Sequence, residues 1–199
     1  MMNKTILLFF SITILFYACD DAVLTPKPRG FPKVDFPEKA YKKFDAPYCN
    51  LTFNAPAYAE IKQDEFYFGK EAPNSCWFDI FTPQLSSKIH CSYVPLDATN
   101  TLDKMRGDAF KLANQHNVKA NFIDELPINR PDGTFGMVFD IEGEVASPFQ
   151  FYLTDGENHF LRGSLYFNVQ SRPDSLAPIL DFVKTDIMEL VNTLKWERD

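Results

Sequence analysis

Apolar and polar positions alternate with period two over residues 147–169 and then change to a helical period that runs almost to the end of the chain. Phe149, Phe151 and Leu153 share one face of a first strand, while Leu161, Gly163, Leu165, Phe167 and Val169 share one face of a second. The two runs flank Asp155-Gly156-Glu157-Asn158, which predicts a β-hairpin. If both sets face one core, the opposed residues are odd-numbered on both strands, so the loop holds an odd number of residues or a bulge. Tyr152, Phe160 and Tyr166 fall on the opposite faces, which predicts a sheet covered at least in part on both sides. From Asp174 onward, Leu176, Ile179, Leu180, Val183, Ile187, Leu190, Val191 and Leu194 form one helical stripe. Asp174 or Ser175 is the expected N-cap, with Pro178 in the first turn, and the helix is expected to lie on the sheet.

Upstream, residues 48–53 and 58–61 predict a strand broken or bent at Ala55-Pro56. Residues 76–81 and 88–94 predict a second hairpin. Leu102, Met105, Ala109, Leu112 and Ala113 lie on one face of a helix over 102–114, capped by Asn100 or Thr101. Residues 120–123 and 135–141 predict strands on either side of the Asn129-Arg130-Pro131-Asp132-Gly133 turn. The order β-β-β-α-β-β-β-β-α predicts an α+β fold, an antiparallel β-sheet with helices packed on it.

The first 18 residues carry one positive charge, Lys4, then an uncharged apolar run from Ile6 to Phe16 and small Ala18 before Cys19. That run is shorter than the roughly 20 residues a membrane span needs, and it has the regions of an export signal. Ala18-Cys19 followed by Asp20-Asp21 resembles a bacterial lipobox, in which Cys19 is acylated and becomes the new N-terminus; Phe16 departs from the usual Leu or Val. Acylation with more than one chain makes such an anchor stable. Residues 19–47 hold Pro26, Pro28, Pro32, Pro37 and Pro47 among basic residues, which predicts an extended tether. The expected organisation is a signal peptide over 1–18, a lipidated Pro-rich tether over 19–47 and one globular domain over 48–199.

The 199 residues carry a net charge of −7, and 45% are hydrophobic, so a packed core is expected. An acidic chain without Lys/Arg clusters points away from nucleic acid. Besides Cys19 there are Cys49, Cys76 and Cys91. In an exported protein these suggest one disulfide and a spare thiol, with Cys49 to Cys76 favoured because each opens a predicted strand; Cys76 to Cys91 is the alternative. His90, His116 and His159 show no metal-ligand spacing, and neither a nucleophile elbow nor a phosphate-binding glycine loop is present, so no catalytic residue, metal or cofactor is expected. Asp140, Glu142 and Glu144 alternate along one strand face. They fit a solvated strand edge, or, in sharper readings, a paired-acid hydrolase or a Ca²⁺ site. Asp155, His159 and Arg162 surround the last hairpin and form a candidate partner surface; a turn residue, a loop residue and a strand ion pair explain them equally well. Asp174-Ser175-Leu176 resembles a short O-glycosylation acceptor, although a helix cap accounts for it.

Several segments in order, among them Thr25-Pro-Lys-Pro-Arg-Gly30, Ile89-His-Cys-Ser-Tyr93, Pro148-Phe-Gln-Phe-Tyr-Leu-Thr-Asp155, His159-Phe-Leu-Arg-Gly163 and Leu165-Tyr-Phe-Asn168, resemble the gliding-motility lipoprotein GldD family of Bacteroidetes. The resemblance implies a non-enzymatic cell-envelope lipoprotein, on the periplasmic side or at the outer membrane, required for gliding motility and associated with the type IX secretion machinery. Its implied partners are the membrane, through the lipid, and protein components of that apparatus. The order of elements is also similar to the Mog1/PsbP-like α/β/α sandwich. An envelope-polymer hydrolase and a sugar- or peptide-binding lipoprotein remain the alternatives.

Overall fold

The computed structural model describes residues 33–67, 70–169 and 173–197. The expected export signal, Cys19 and residues 20–32 of the expected tether lie outside them. Twelve strands and two longer helices are present among the described residues. The strands are β1 (Tyr41–Asp45), β2 (Leu51–Pro56), β3 (Glu60–Gln63), β4 (Phe66–Tyr67), β5 (Lys70–Glu71), β6 (Trp77–Thr82), β7 (Ser87–Pro95), β8 (Ala120–Asn129), β9 (Phe135–Gly143), β10 (Phe149–Thr154), β11 (His159–Phe167) and β12 (Lys195–Trp196). The helices are α1 (Leu102–Asn114) and α2 (Pro173–Thr193).

Seven strands form one antiparallel sheet in the order β3-β6-β7-β11-β10-β9-β8, and β1-β2-β12 form a smaller one. The hairpin β10–β11 lies near the centre of the large sheet, and its register has the expected parity. Phe151 faces Gly163 and Leu153 faces Leu161, so five residues, 155–159, close the loop between Thr154 and Phe160. Both faces are apolar, and both are covered. On one face Phe151, Leu153, Leu161 and Leu165 join Val183, Ile187, Leu190 and Val191 of α2 in a core that also takes in the small sheet. On the other, Phe139, Ile141, Tyr152 and Phe160 pack under Ala109 and Ala113 of α1. The result is an α+β sandwich with helices on both sides of the sheet.

The small sheet docks through aromatic rings. Phe44 of β1 stacks on Phe53 of β2 at 4.7 Å and on Phe78 of β6 at 5.0 Å between ring centroids. Cys49 and Cys76, just before β2 and β6, are joined by a disulfide across a sequence separation of 27, a loop whose closure removes about 3–4 kcal/mol of unfolded-state entropy in the chain-entropy account. Cys91 is a buried free thiol, and burial, with the Asp79 carboxylate adding to it, pushes its pKa up, away from reactivity.

Two expectations about boundaries need correction. Residues 33–47, read as the end of the spacer, are part of the folded body: Val34 packs on the core, Phe36 stacks on Phe182 at 4.7 Å, and Tyr41–Asp45 is a strand. The exposed Lys42 and Lys43 of an edge strand hid it, because its burial does not alternate cleanly. Helix α2 begins at Pro173, whose fixed φ suits a first helical position, so Asp174 and Ser175 lie inside the first turn and Pro178 lies in the second. At α1 the cap is Thr101, whose side chain accepts from the Lys104 amide.

One buried carboxylate ties the N-terminal segment to α2. Asp186 is 3% exposed and accepts hydrogen bonds from Lys39 Nζ at 2.5 Å, Tyr41 Oη at 3.0 Å and Tyr58 Oη at 2.6 Å. Lys39 also reaches the Phe182 carbonyl at 2.8 Å and lies over its ring. Burial, followed by the Asp186 hydrogen bond and charge, raises the pKa of both tyrosines, which therefore stay protonated and donate.

Removing this acceptor strands an ammonium and two phenols. Asp186→Ala is expected to lower stability by about 3 kcal/mol in urea unfolding, and Asp186→Asn, which keeps an acceptor for the phenols, by less. Equal losses in the two variants would contradict this reading. Gly163 is a second sensitive position, because a Cβ there would lie 2.1 Å from Phe151 Cε1. Gly163→Ala is expected to cost about 1–3 kcal/mol by forcing the ring off its strand, and a wild-type urea midpoint would count against it.

Candidate functional site

Three segments distant in sequence meet at one end of the large sheet. The β8–β9 turn supplies Asp132 and Thr134, the β10–β11 turn supplies Asp155, Asn158 and His159, and the C-terminal segment supplies Lys195, Trp196 and Glu197. Together they line an open cleft of about 780 Å³. The β10–β11 loop is held by local hydrogen bonds, and the other two segments by bonds between distant parts of the chain.

The β10–β11 loop is moulded around one side chain. Asp155 Oδ1 accepts from the backbone N–H groups of Glu157 at 3.0 Å, Asn158 at 2.9 Å and His159 at 2.9 Å. Gly156 provides the positive φ that the turn needs. Burial works against ionisation of Asp155, but the N–H groups of His159, Asn158 and Glu157 and the nearby imidazole outweigh it, so the carboxyl is held below the ordinary range.

His159 is buried beside this loop, with Nδ1 2.7 Å from Tyr93 Oη and Nε2 4.0 Å from Asp155 Oδ2. Its ring lies flat on Trp196, 5.1 Å between centroids and 6° from parallel. Trp196 is fixed in turn by pairing with Leu51 of β2 and by donating Nε1–H to Thr134 Oγ1 at 3.1 Å. The third wall depends on Arg130, which donates to the carbonyls of Val191 at 3.0 Å and Leu194 at 2.8 Å and pairs with Asp132 at 2.7 Å. A cation on the last carbonyls of α2 satisfies groups the helix leaves open and complements its dipole. It also fixes where the chain turns into β12.

The cleft thus has an imidazole–indole plate in its wall and carboxylates, an amide and one lysine around it. Thr134 carries the only hydroxyl among its lining residues, and that hydroxyl is buried and accepts from Trp196. Such a plate suits recognition of a planar or cationic group of a partner. A pocket for an apolar ligand would have predominantly apolar walls, and these walls are mostly polar.

Of the residues singled out by sequence, Asp155 and His159 come together here and Arg162 does not. Alternation along β11 puts Arg162 on the opposite face, where it donates to Gln150 Oε1 at 2.7 Å and stands near His116, lowering the pKa of that histidine after burial has done most of the work. The acids do not converge either. Asp140 pairs with Phe149 and Phe135 with Thr154, so five strand steps, about 17 Å, separate Asp140 from the cleft end of the sheet. Asp140 binds Lys184 at 2.7 Å, while Glu142 and Glu144 are exposed.

The fold also makes a grouping that no spacing announced. Asp64, Asp79 and His90 bring ligand-type atoms within 4.8 Å of one another. Asp79 Oδ1 lies 2.8 Å from His90 Nδ1 and Oδ2 accepts from Lys88 at 3.0 Å. Burial opposes ionisation of Asp79, but His90 and Lys88 outweigh it and lower its pKa. The lysine already supplies a cation there, and the group reads as an ion-pair network. Trp196, Thr134 and Asp132 were missed as site residues. The available signals were a tryptophan just beyond the end of an apolar helical stripe and a turn rich in Arg, Pro, Asp and Gly.

A search of curated proteins gives no match. Among solved structures the chain is similar to the solution structure of cyanobacterial PsbP (CyanoP) from Synechocystis sp. PCC 6803, at 9% identity over 85% of this chain and 99% of that one, with a TM-score of 0.46. A family profile described as gliding motility lipoprotein GldD matches residues 21–196, and the chain belongs to that family.

Proposed function

We propose that the protein is a lipid-anchored, non-enzymatic accessory or assembly factor for gliding motility and the associated type IX secretion machinery, and that it presents the cleft around His159 and Trp196 to a protein component of that apparatus. The observation that carries the reading is the construction of the cleft: a buried histidine stacked on a tryptophan, held by three chain segments that are each braced from behind. Pre-built walls lower the ordering cost of association, and an aromatic plate ringed by polar groups matches the centre of a protein interface. Asp155 and His159 of the surface read from sequence stay in this proposal, while Arg162 leaves it. The described residues contain no helix long and apolar enough to cross a membrane, and attachment through acylated Cys19 on the cell-envelope side is part of the proposal.

A paired-acid hydrolase is the less favoured reading, because it wants two carboxyls about 5–10 Å apart in a cleft. Of the cleft's own carboxylates, Asp155 spends one oxygen on three backbone amides and Asp132 pairs with Arg130, while Asp140, outside the cleft, pairs with Lys184.

Three outcomes test the proposal. Cys19→Ala is expected to abolish lipid labelling and release the protein from membranes, and persistent labelling would refute acylation there. Photo-crosslinkers at Asn158 and Lys195 in intact cells should each give one discrete adduct, while one at Lys111 on the outer face of α1 should give none. Adducts from all three sites, or from none, would remove the cleft from the reading. The third concerns acid. A carboxyl whose folded pKa is lowered contributes stability that is full above its unfolded value near 4 and is lost as pH falls through the folded value. The hairpin loop should therefore open below about pH 4, read by hydrogen exchange at the amides of Glu157, Asn158 and His159. Asp155→Asn should make those amides exchange faster at neutral pH and flatten the acid dependence; unchanged exchange would contradict it.

A further inference from the structure

The two edges of the large sheet differ. On one side β3 is four residues long, and its flank carries Glu60 and Lys62, which pair at 2.9 Å. On the other, β8 runs ten residues with most of its positions exposed. Phe122 and Leu126 are 59% and 51% exposed, far above what a core position shows, and both lie on the face that bears Glu142 and Asp140 of β9. A long edge with exposed large apolar side chains is a template for another strand.

The direction of its free hydrogen-bonding groups follows from its neighbours. Arg130 N–H donates inward to the Thr134 carbonyl, and Ile141 N–H of β9 donates to Pro148, on the β10 side. In an antiparallel ladder this makes the even residues of β8 face β9 and the odd ones face outward. Pro127, which lacks an N–H, then sits where its missing donor falls on the free edge, as edge prolines do. Among the described residues, no strand pairs with the outward N–H and C=O groups of Ile123 and Glu125, which are flanked by Phe122, Asp124 and Leu126.

We infer that β8 is a docking edge that accepts an extended segment of a protein partner carrying lysine or arginine between apolar residues, adding it as an eighth strand. On the face that bears Phe122, Asp124 and Leu126, apolar residues of the segment cover Phe122 and Leu126, and a cation at the position between them, two residues from each, meets Asp124. Charge selects this occupant over a second copy of the chain. Opposed residues of an antiparallel ladder share a face, so two-fold pairing of β8 with itself near its middle sets Asp124 against Asp124 or Glu125 against Glu125, and like charges directly opposed are unfavourable. The same carboxylates attract a basic strand, while main-chain bonds and the two apolar side chains supply binding. Lys119, just before the bulge at the start of β8, marks the end of the acidic stretch. This surface is separate from the cleft, so it stands or falls independently of the function proposed above.

The test uses the full chain in detergent and a decapeptide of the repeat Val-Thr-Lys-Thr, which presents valine and lysine in turn on the face that meets Phe122, Asp124 and Leu126. Controls are the same peptide with glutamate in place of lysine, and the same peptide with two central threonines, whose N–H groups would bond to β8, replaced by proline. Hydrogen exchange is expected to slow at least tenfold at the Ile123 and Glu125 amides with the first peptide and with neither control, while Asp124 and Leu126, already bonded to β9, stay unchanged. Phe122→Ser with Leu126→Ser, both exposed positions, should weaken binding at least tenfold with an unchanged far-ultraviolet spectrum. The proposal is overturned if Ile123 and Glu125 are already protected in the free chain, which would mean that a segment of its own or a second copy holds the edge. It is equally overturned by no protection, or by protection that the glutamate or proline peptides reproduce.

Discussion

The central hairpin cannot be satisfied by a single covering layer, because both of its faces are apolar. Leu153, Leu161 and Leu165 point to one side and Tyr152 and Phe160 to the other, all of them nearly inaccessible to water. Leaving either face open would expose several large side chains, each worth about 2 kcal/mol when buried. Both helices are therefore required, and their placement follows from which face they must cover. The fit is close at the hairpin's middle, where the Phe151 ring lies over Gly163 in the space a side chain would take. A glycine in the interior of a strand is costly unless something uses the room it leaves, and here an aromatic ring does.

Polar groups then decide how the layers are oriented. Asp186 pins the segment before β1 to α2, Arg130 fixes the far end of the same helix, and the Cys49–Cys76 bridge joins the starts of β2 and β6. Buried charges and carbonyls are expensive when unpaired, so these bonds admit few alternative arrangements. The cleft is a consequence. Once α2 must end under Arg130, the chain leaves it beside β2, Trp196 lands against Thr134, and His159 finds its stacking partner.

What could be read from the sequence was whatever repeats over a short window. The two hairpins, both helices, the odd loop after Thr154 and the double coverage of the sheet all come from periodicities of two and 3.6. β1 was hidden by its lysines and by the prolines around it, β12 by being two residues long, and the second half of β8 by Asp124, Glu125 and Pro127, which suit an exposed edge but read as a loop. The site was half legible for a similar reason. Asp155 and His159 belong to one loop, but Trp196 and Thr134 reach it across tens of residues, and alternation along a strand, invisible until the register is known, carried Arg162 to the far face. The Asp64–Asp79–His90 group has the same origin, since neighbouring strands rather than neighbouring residues assemble it.

The contrast between the two sheet edges bears on how an envelope protein avoids unwanted association. β3 is protected by brevity, but β8 is protected only by charge and one proline, while Phe122 and Leu126 remain open to water. Had stability alone shaped this edge, replacing those two residues by polar ones would have removed an exposed apolar surface at little cost, since surface substitutions away from special features change stability by about 0.5 kcal/mol or less. Carboxylates placed between exposed apolar side chains oppose pairing with an identical edge and leave pairing with a basic one favourable. A strand with that composition discriminates among partners, which simple protection of an edge does not require.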